Sequence, residues 1–161
     1  MLESSLKANR FMLGYCQMLV GDVPDERFTE QPLPGVNHPA WILGHLAYSA
    51  DGCTALLGGQ KLLSAEWVKK FGPKSQLTAV RCDYPTKEEL LATLERTFDQ
   101  ARKLAAEASP ERLAAAHSNP AFAQAMPAVA DLCSFLLTGH LGVHLGQLSS
   151  WRRMIGLPPL F

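Results

Sequence analysis

The sequence predicts an all-α fold, a four-helix bundle with long connections between some of its helices. Four long segments repeat apolar residues with the helical period and are bounded by residues typical of helix ends. No segment alternates apolar and polar residues as a half-buried strand would. The chain of 161 residues is 47% hydrophobic, which suits packed helices and favours one domain spanning residues 1–161.

The first two helices are predicted from their periodicity and their boundary residues. The first covers roughly residues 4–20 and ends at Gly21. The second covers roughly residues 37–57, with Asn37 as the residue that caps its first turn. Pro39 is compatible with this start, because proline is tolerated in the first turn of a helix.

The third and fourth helices are predicted in the second half of the chain. The third covers roughly residues 86–108, and Thr86 and Glu89 have the spacing of a capping box at its start. The fourth is predicted as one continuous helix over roughly residues 128–155 that ends at Gly156.

Two long connections, residues 60–85 and 109–127, separate these helices. Each is expected to contain a short helix, one over residues 64–71 and one that begins near Ser109. Connections of this length argue against the simplest up-down-up-down bundle.

Charge, hydropathy and cysteine spacing disfavour several functional classes. Lys plus Arg and Asp plus Glu number 15 each, so the formal net charge is zero, and no basic run concentrates charge for nucleic acid or a membrane surface. No signal peptide is recognised, and no stretch is judged long and apolar enough to span a bilayer. The four cysteines are scattered without a C-x-x-C pair, which favours buried, reduced thiols in a cytoplasmic protein.

Two histidines one helical turn apart are the most informative feature of the sequence. His140 and His144 lie in one row with Leu136 and Leu148 on the fourth helix, so both imidazoles are expected to face the core. His45 lies in a similar apolar segment of the second helix. Three inward histidines would form an incomplete coordination shell, which metal catalysis requires.

Three glycines lie around the paired histidines in the fourth helix: Gly139, Gly142 and Gly146. Each glycine in a helix interior costs about 1 kcal/mol relative to alanine. Such a cost fits a cavity beside the histidines, and it fits the close approach of a neighbouring helix equally well.

Alternative interpretations of the polar residues stay open. A single inward histidine is more often a hydrogen-bonded core residue than a metal ligand. Gln147 lies on nearly the same helix face as His144 and could bind a cofactor or hold a ligand or water, or it could simply pack between helices. His38 and His117 are expected at the surface. Arg152 and Arg153 suit the end of their helix dipole and offer a second option, the binding of a substrate anion.

A longer pattern carries a family resemblance. It consists of Trp41-x-x-x-His45-Leu, then His140-x-x-x-His144-x-Gly146-Gln147-Leu148, then Trp151-Arg152-Arg153-x-x-Gly156-x-Pro158. In these motifs the chain resembles the DinB superfamily, over nearly its whole length. The resemblance implies a four-helix bundle with up-down-down-up connectivity. It also implies one divalent metal ion, commonly zinc or nickel, held by His45, His140 and His144.

The resemblance also implies a function, because families of this kind include bacterial thiol-dependent S-transferases and a mycothiol-dependent maleylpyruvate isomerase. We therefore expect a metal-dependent transferase or hydrolase in which the three-histidine site activates a thiol or a water molecule. The fourth helix lacks the adjacent glutamate of an H-E-x-x-H motif, and this absence favours thiol chemistry.

The expected partner is a small-molecule substrate, for which a low-molecular-weight thiol is one candidate. Neither nucleic acid nor a membrane is expected as a partner. The apolar C-terminal segment, residues 157–161, could pack on the bundle or form a homodimer. The alternative hypothesis is a non-catalytic helical bundle. In it the histidines hold a structural metal ion, or none, and the segment serves an interaction or dimerisation role.

Overall fold

The computed structural model describes residues 2–160 and is all-helical over that range, which confirms the predicted all-α class. Pairing of the β type is confined, within those residues, to an isolated bridge between Ala116 and Ala128. The two predicted short helices are present over Ala65–Phe71 and Pro110–Ala114. The helices are α1 (Glu3–Gly21), α2 (Pro39–Leu56), α3 (Ala65–Phe71), α4 (Lys87–Glu107), α5 (Pro110–Ala114), α6 (Val129–Leu137) and α7 (Gly139–Met154).

The start of α2 differs from the prediction by one residue and by its capping group. His38 caps the helix in place of Asn37, because its Nδ1 accepts a hydrogen bond of 3.2 Å from the backbone N–H of Trp41. The Asn37 side chain instead donates to Oε1 of Gln147 at 3.2 Å. The amide that would have capped α2 therefore joins α2 to α7.

The predicted fourth helix is not continuous. It is divided at Thr138 (φ −129°, ψ −72°) into α6 and α7, so the prediction of one helix over residues 128–155 is wrong. Thr138 Oγ1 donates to Ser134 O at 2.7 Å, a bond that often accompanies bent helices. The carbonyl oxygen of Leu137 accepts a 2.7 Å hydrogen bond from Nδ2 of the buried Asn9. A residue of α1 thus stabilises the break.

Helix α2 is the most buried helix of the described range. It packs mainly against α4 and α6, while α1 packs mainly against α7. The capping box of Thr86 and Glu89 begins α4 as predicted. This packing brings the His45 segment of α2 next to the start of α7.

The cysteine thiols are free, as predicted. Cys16, Cys53 and Cys133 are buried, and Cys82 is exposed. Burial raises the pKa of Cys16 to about 12. A hydrogen bond with Cys133, together with burial, raises the pKa of Cys53 well above its ordinary value. Cys16 and Cys53 therefore stay protonated at neutral pH and pack as small apolar side chains.

The segment Val129–Met154 comprises α6 and α7. By length and composition alone it could cross a membrane, since it has 26 residues and a mean hydropathy of 1.2. The prediction that no stretch meets these criteria is therefore wrong. A core helix of a soluble protein meets the same criteria, and this segment packs against α1 and α2. The finding is weak evidence for a membrane span.

The three glycines near the paired histidines differ in their surroundings. A Cβ at Gly139 would lie 2.9 Å from Cδ2 of Phe135, and one at Gly142 would lie 3.2 Å from Cε of Met12. These two glycines allow close packing. A Cβ at Gly146 would meet nothing within 4 Å, so neither a cavity wall nor a neighbouring helix requires glycine there.

Replacement of Gly146 by alanine is expected to raise the free energy of unfolding by about 0.5–1 kcal/mol, because alanine loses less backbone entropy in a helix interior. Urea unfolding of the metal-free protein measures this change. The matched variant Gly142→Ala, which must displace Met12, is expected to gain less. A destabilised Gly146→Ala variant would contradict the open surroundings described above.

Candidate metal centre

Three histidines from two distant segments meet in the core. One ring nitrogen of each of His45, His140 and His144 lies within 4.8 Å of the other two. A single point therefore lies within about 2.8 Å of all three nitrogens. Zinc–nitrogen bonds are about 2.0–2.1 Å long, so small side-chain rotations would bring the three nitrogens to bonding distance of one ion. Within residues 2–160 no carboxylate or thiol joins this group. We call these three residues the histidine cluster.

His45 is fixed by contacts with α3 and with its own helix. Its Nδ1 donates a 2.7 Å hydrogen bond to the carbonyl oxygen of Phe71, which leaves the lone pair on Nε2. The Trp41 ring stacks on the imidazole, with centroids 4.6 Å apart and planes 9° apart. Gly44 permits this arrangement, because a Cβ there would lie 2.3 Å from the Phe71 ring.

His144 is oriented by the residue three positions later. Its Nδ1 donates to Oε1 of Gln147 at 2.9 Å, and the same oxygen accepts the bond from Asn37. The lone pair of His144 is therefore on Nε2 as well. Outer hydrogen bonds of this type fix the tautomer and the orientation of a metal-ligating histidine. The structure thus places Gln147 against His144, and its predicted cofactor-binding role stays a prediction.

The third member of the histidine cluster carries an unusual buried atom. Nδ1 of His140 is buried and has no hydrogen-bond partner within the described residues. Such an atom is costly and uncommon in native proteins. The His140 ring lies beside the other two imidazoles, with centroids 5.2 Å from His45 and 4.7 Å from His144, and a set of imidazole donors suits zinc and nickel. The histidine cluster therefore fits a divalent cation.

Burial keeps the imidazoles of the cluster neutral. Desolvation, together with charge repulsion from neighbouring histidines, lowers the pKa of His140 and of His144 to about 4. Desolvation also lowers the pKa of His45, against the opposing effect of its bond to Phe71. At neutral pH the three rings are thus in the form that binds a metal ion.

A cleft of about 820 Å³ opens from the histidine cluster to solvent. His45 and His140 line this cleft, whereas His144 is only 6% exposed and lies outside its lining. A catalytic metal site needs such an approach to the ion, and a structural site is closed. The arrangement therefore has the access that a substrate would require.

Other candidate residues have structural partners. His38 is buried, so the prediction that it lies at the surface is wrong, whereas His117 is half-buried and lines the cleft. His38 is buried because both ring nitrogens find partners inside the protein.

Arg152 is buried as well, where it pairs with Asp22 and donates to the carbonyl oxygen of Leu19 at 2.8 Å. These contacts leave the anion-binding option for Arg152 without support.

The stability of the fold is expected to depend on pH through His38. Trp41 N–H donates to its Nδ1, and its Nε2 lies 3.0 Å from Thr78 O, so the neutral ring satisfies both contacts. Desolvation by burial lowers the pKa of His38 from 6.5 to about 4. The unfolded chain therefore takes up a proton first as pH falls. The stabilisation is complete above about pH 6.5 and is lost towards about pH 4, by up to about 3 kcal/mol.

Urea unfolding across this pH range, for the wild type and the variant His38→Asn, measures the effect. Asparagine keeps an acceptor for the Trp41 N–H but does not titrate. The stability advantage of the wild type should be constant above about pH 6.5 and should shrink below it. An advantage that stays constant down to about pH 4 would show that His38 is not the group responsible.

Several residues that shape the site were missed in the sequence. Phe71 acts through its backbone carbonyl, which no side-chain pattern identifies. Gly44, inside an apolar helix and next to His45, was the available signal for a close contact at that point. Lys61 and Arg112, which line the cleft, lie in no recognisable motif.

A family model described as the DinB superfamily matches residues 12–148. This range contains the whole histidine cluster and Gln147, and it covers most of the chain. A comparison with curated proteins gives no match.

Proposed function

The chain belongs to the DinB superfamily, and on that premise we propose that it is a metal-dependent enzyme that activates a small thiol for transfer to an electrophile. Membership of the family and the histidine cluster both support a metal-binding role. The observation that carries the proposal is the cleft, because it gives a substrate access to His45 and His140.

The residues around the cluster prepare it for a cation. Phe71 O and Gln147 Oε1 hold the Nδ1 protons of His45 and His144, so that each Nε2 presents its lone pair. Trp41 covers one face of the His45 ring and excludes water there. When bound, a divalent ion such as zinc or nickel would supply Lewis-acid chemistry that lowers the pKa of a thiol or of water.

The residues near the cluster favour a thiol over water as the activated group. Hydrolysis at a metal site commonly uses a carboxylate as general base, and no Asp or Glu lines the cleft within the described residues. Asp51 is buried and accepts a 2.7 Å hydrogen bond from the backbone N–H of Leu62. Asp83 accepts from Thr78 Oγ1 at 2.7 Å. A thiol with a lowered pKa needs no such base.

Cobalt substitution tests the proposal with a spectroscopic signal. Tag-free protein is titrated with Co²⁺ and then with 2-mercaptoethanol, and a sulfur-to-cobalt absorption band is expected in the near ultraviolet. Zn²⁺-loaded protein is then expected to accelerate conjugation of that thiol to monobromobimane over the metal-free protein. One bound Co²⁺ with no response to the thiol would favour the alternative, a structural ion in a non-catalytic bundle.

The proposal also includes the connectivity of the helices, the location of the protein and the packing of its C-terminal segment. We propose up-down-down-up connectivity for the four long helical segments and a cytoplasmic location, which the buried free thiols support. For residues 157–160 of the C-terminal segment we propose packing on its own bundle, whereas Phe161 lies outside the described residues. Leu157 and Leu160 contact the core of the same chain, and Arg152 donates to Pro158 O at 3.3 Å.

A further inference from the structure

The cleft extends from the histidine cluster along α2 and along the facing segment, which consists of α6 and the start of α7. On α2 its lining residues recur with the helical period and end three turns beyond the histidine, which is about 16 Å along the helix axis. They are His45, Tyr48, Ser49, Gly52, Ala55 and Leu56. The facing segment contributes Val129, Leu132, Leu136 and His140. Both series carry a histidine at one end, so the reacting end of the cleft is defined.

Small side chains keep the middle of this cleft open. Ser49, Gly52 and Ala55 form the α2 side, and a Cβ at Gly52 would meet nothing within 4 Å. Leu132 and Leu136 make the facing side apolar. The shape and lining therefore suit an elongated molecule with an apolar middle portion.

Two cationic side chains line the cleft away from its histidine end. Arg112 donates to the carbonyl oxygen of Leu56, the last residue of α2, which places its guanidinium at the end of the helix remote from His45. Lys61 follows α2 by a few residues and makes no hydrogen bond or ion pair within residues 2–160. The lining contains no acidic residue in that range. The uncompensated positive charge at this end attracts an anion.

We propose that the cleft binds an elongated small molecule that carries a carboxylate or similar anionic group at the end remote from its reacting atom. The reacting atom lies at the histidine cluster, and the anionic group lies at Lys61 and Arg112. This inference rests on the proposed function for the chemistry at the reacting end, whereas the charge preference stands on the cleft alone.

A homologous series of ω-mercaptocarboxylates tests the inference, each paired with its primary amide. The Kd of each thiol is read from the absorption of the Co²⁺-substituted protein. The wild type is expected to bind the best carboxylate roughly tenfold more tightly than its amide, as a hydrogen bond to a charged group provides. The variants Lys61→Gln and Lys61→Gln/Arg112→Gln should reduce this ratio stepwise towards one.

The double variant Lys7→Gln/Arg153→Gln is the matched control. It removes one lysine and one arginine charge from exposed positions outside the cleft. It should keep the tenfold ratio between the affinities for carboxylate and amide. A wild type that does not distinguish carboxylate from amide, or a ratio that survives in Lys61→Gln/Arg112→Gln, would overturn the inference. Gly52→Leu should weaken the longest thiols most, because its side chain enters the cleft.

A second measurement keeps the inference separate from the proposed thiol chemistry. Alkanecarboxylates without a thiol, and their amides, are compared by the shift they cause in the thermal midpoint of the protein. Stabilisation by the carboxylates that depends on Lys61 and Arg112 would support the anion site even if no thiol altered the Co²⁺ spectrum. Equal shifts for carboxylates and amides would refute it even if thiol transfer were observed.

Discussion

Replacement of His144 by alanine is expected to abolish stoichiometric binding of a divalent ion, with a loss of affinity of more than about 100-fold. Loss of an outer hydrogen-bond partner of a ligand already costs about 10–100-fold, and loss of the ligand itself should cost more. His45→Ala and His140→Ala should have the same effect, because no carboxylate or thiol of the described residues lies close enough to substitute. Competition with a chromophoric chelator for Zn²⁺ or Co²⁺ measures these affinities.

Two further variants make this expectation specific. Gln147→Ala removes the oxygen that holds the Nδ1 proton of His144. The metal affinity of this variant should lie between those of the wild type and His144→Ala. His117→Ala removes an imidazole that lines the same cleft but lies outside the histidine cluster, and it should bind metal as the wild type does. Undiminished affinity in His144→Ala, or an equal loss in His117→Ala, would refute the assignment of ligands.

Much of the helical structure is predictable because its causes are local. The start of α4 follows from two side chains that bond to backbone groups within one turn, Thr86 and Glu89. The extent of α1 follows from its periodicity, with one residue of difference at each end. The break at Thr138 is stabilised from a distance. The carbonyl oxygen of Leu137 accepts its hydrogen bond from Asn9, which lies 128 residues away in the chain. No window of sequence around residue 138 contains that information.

The histidine cluster likewise has features that the local sequence predicts and features that depend on the fold. The inward orientation of His140 and His144 follows from the row that they share with apolar residues on one helix. Their meeting with His45 depends on how α2 and α7 pack, and the sequence indicated it through the family resemblance. The orientation of the His45 ring depends on a backbone carbonyl of α3. A carbonyl is present at every residue, so its position is known only from the fold.

The contact that stabilises the break at Thr138 leads to the second large effect. Asn9 is fully buried, donates to Leu137 O at 2.7 Å and accepts from Arg102 Nη1 at 3.0 Å. The carbonyls at the end of a helix lack partners within it, so this oxygen depends on the asparagine. Asn9→Ala is therefore expected to lower the free energy of unfolding by about 2–4 kcal/mol, since it leaves the Leu137 carbonyl oxygen unpaired and removes one partner of the half-buried Arg102 guanidinium.

Ser5→Ala provides the matched control for this substitution. Ser5 also joins α1 to α6, through a 2.8 Å bond to Ser134 Oγ, but it is half-buried and should cost about 1 kcal/mol or less. Urea unfolding of the two metal-free variants gives the comparison. Because His140 is the second residue of α7, Asn9→Ala should also weaken metal affinity, and Ser5→Ala should not. Equal stabilities for the two variants would mean that the break persists without Asn9, and that the α6–α7 segment itself determines the direction of α7.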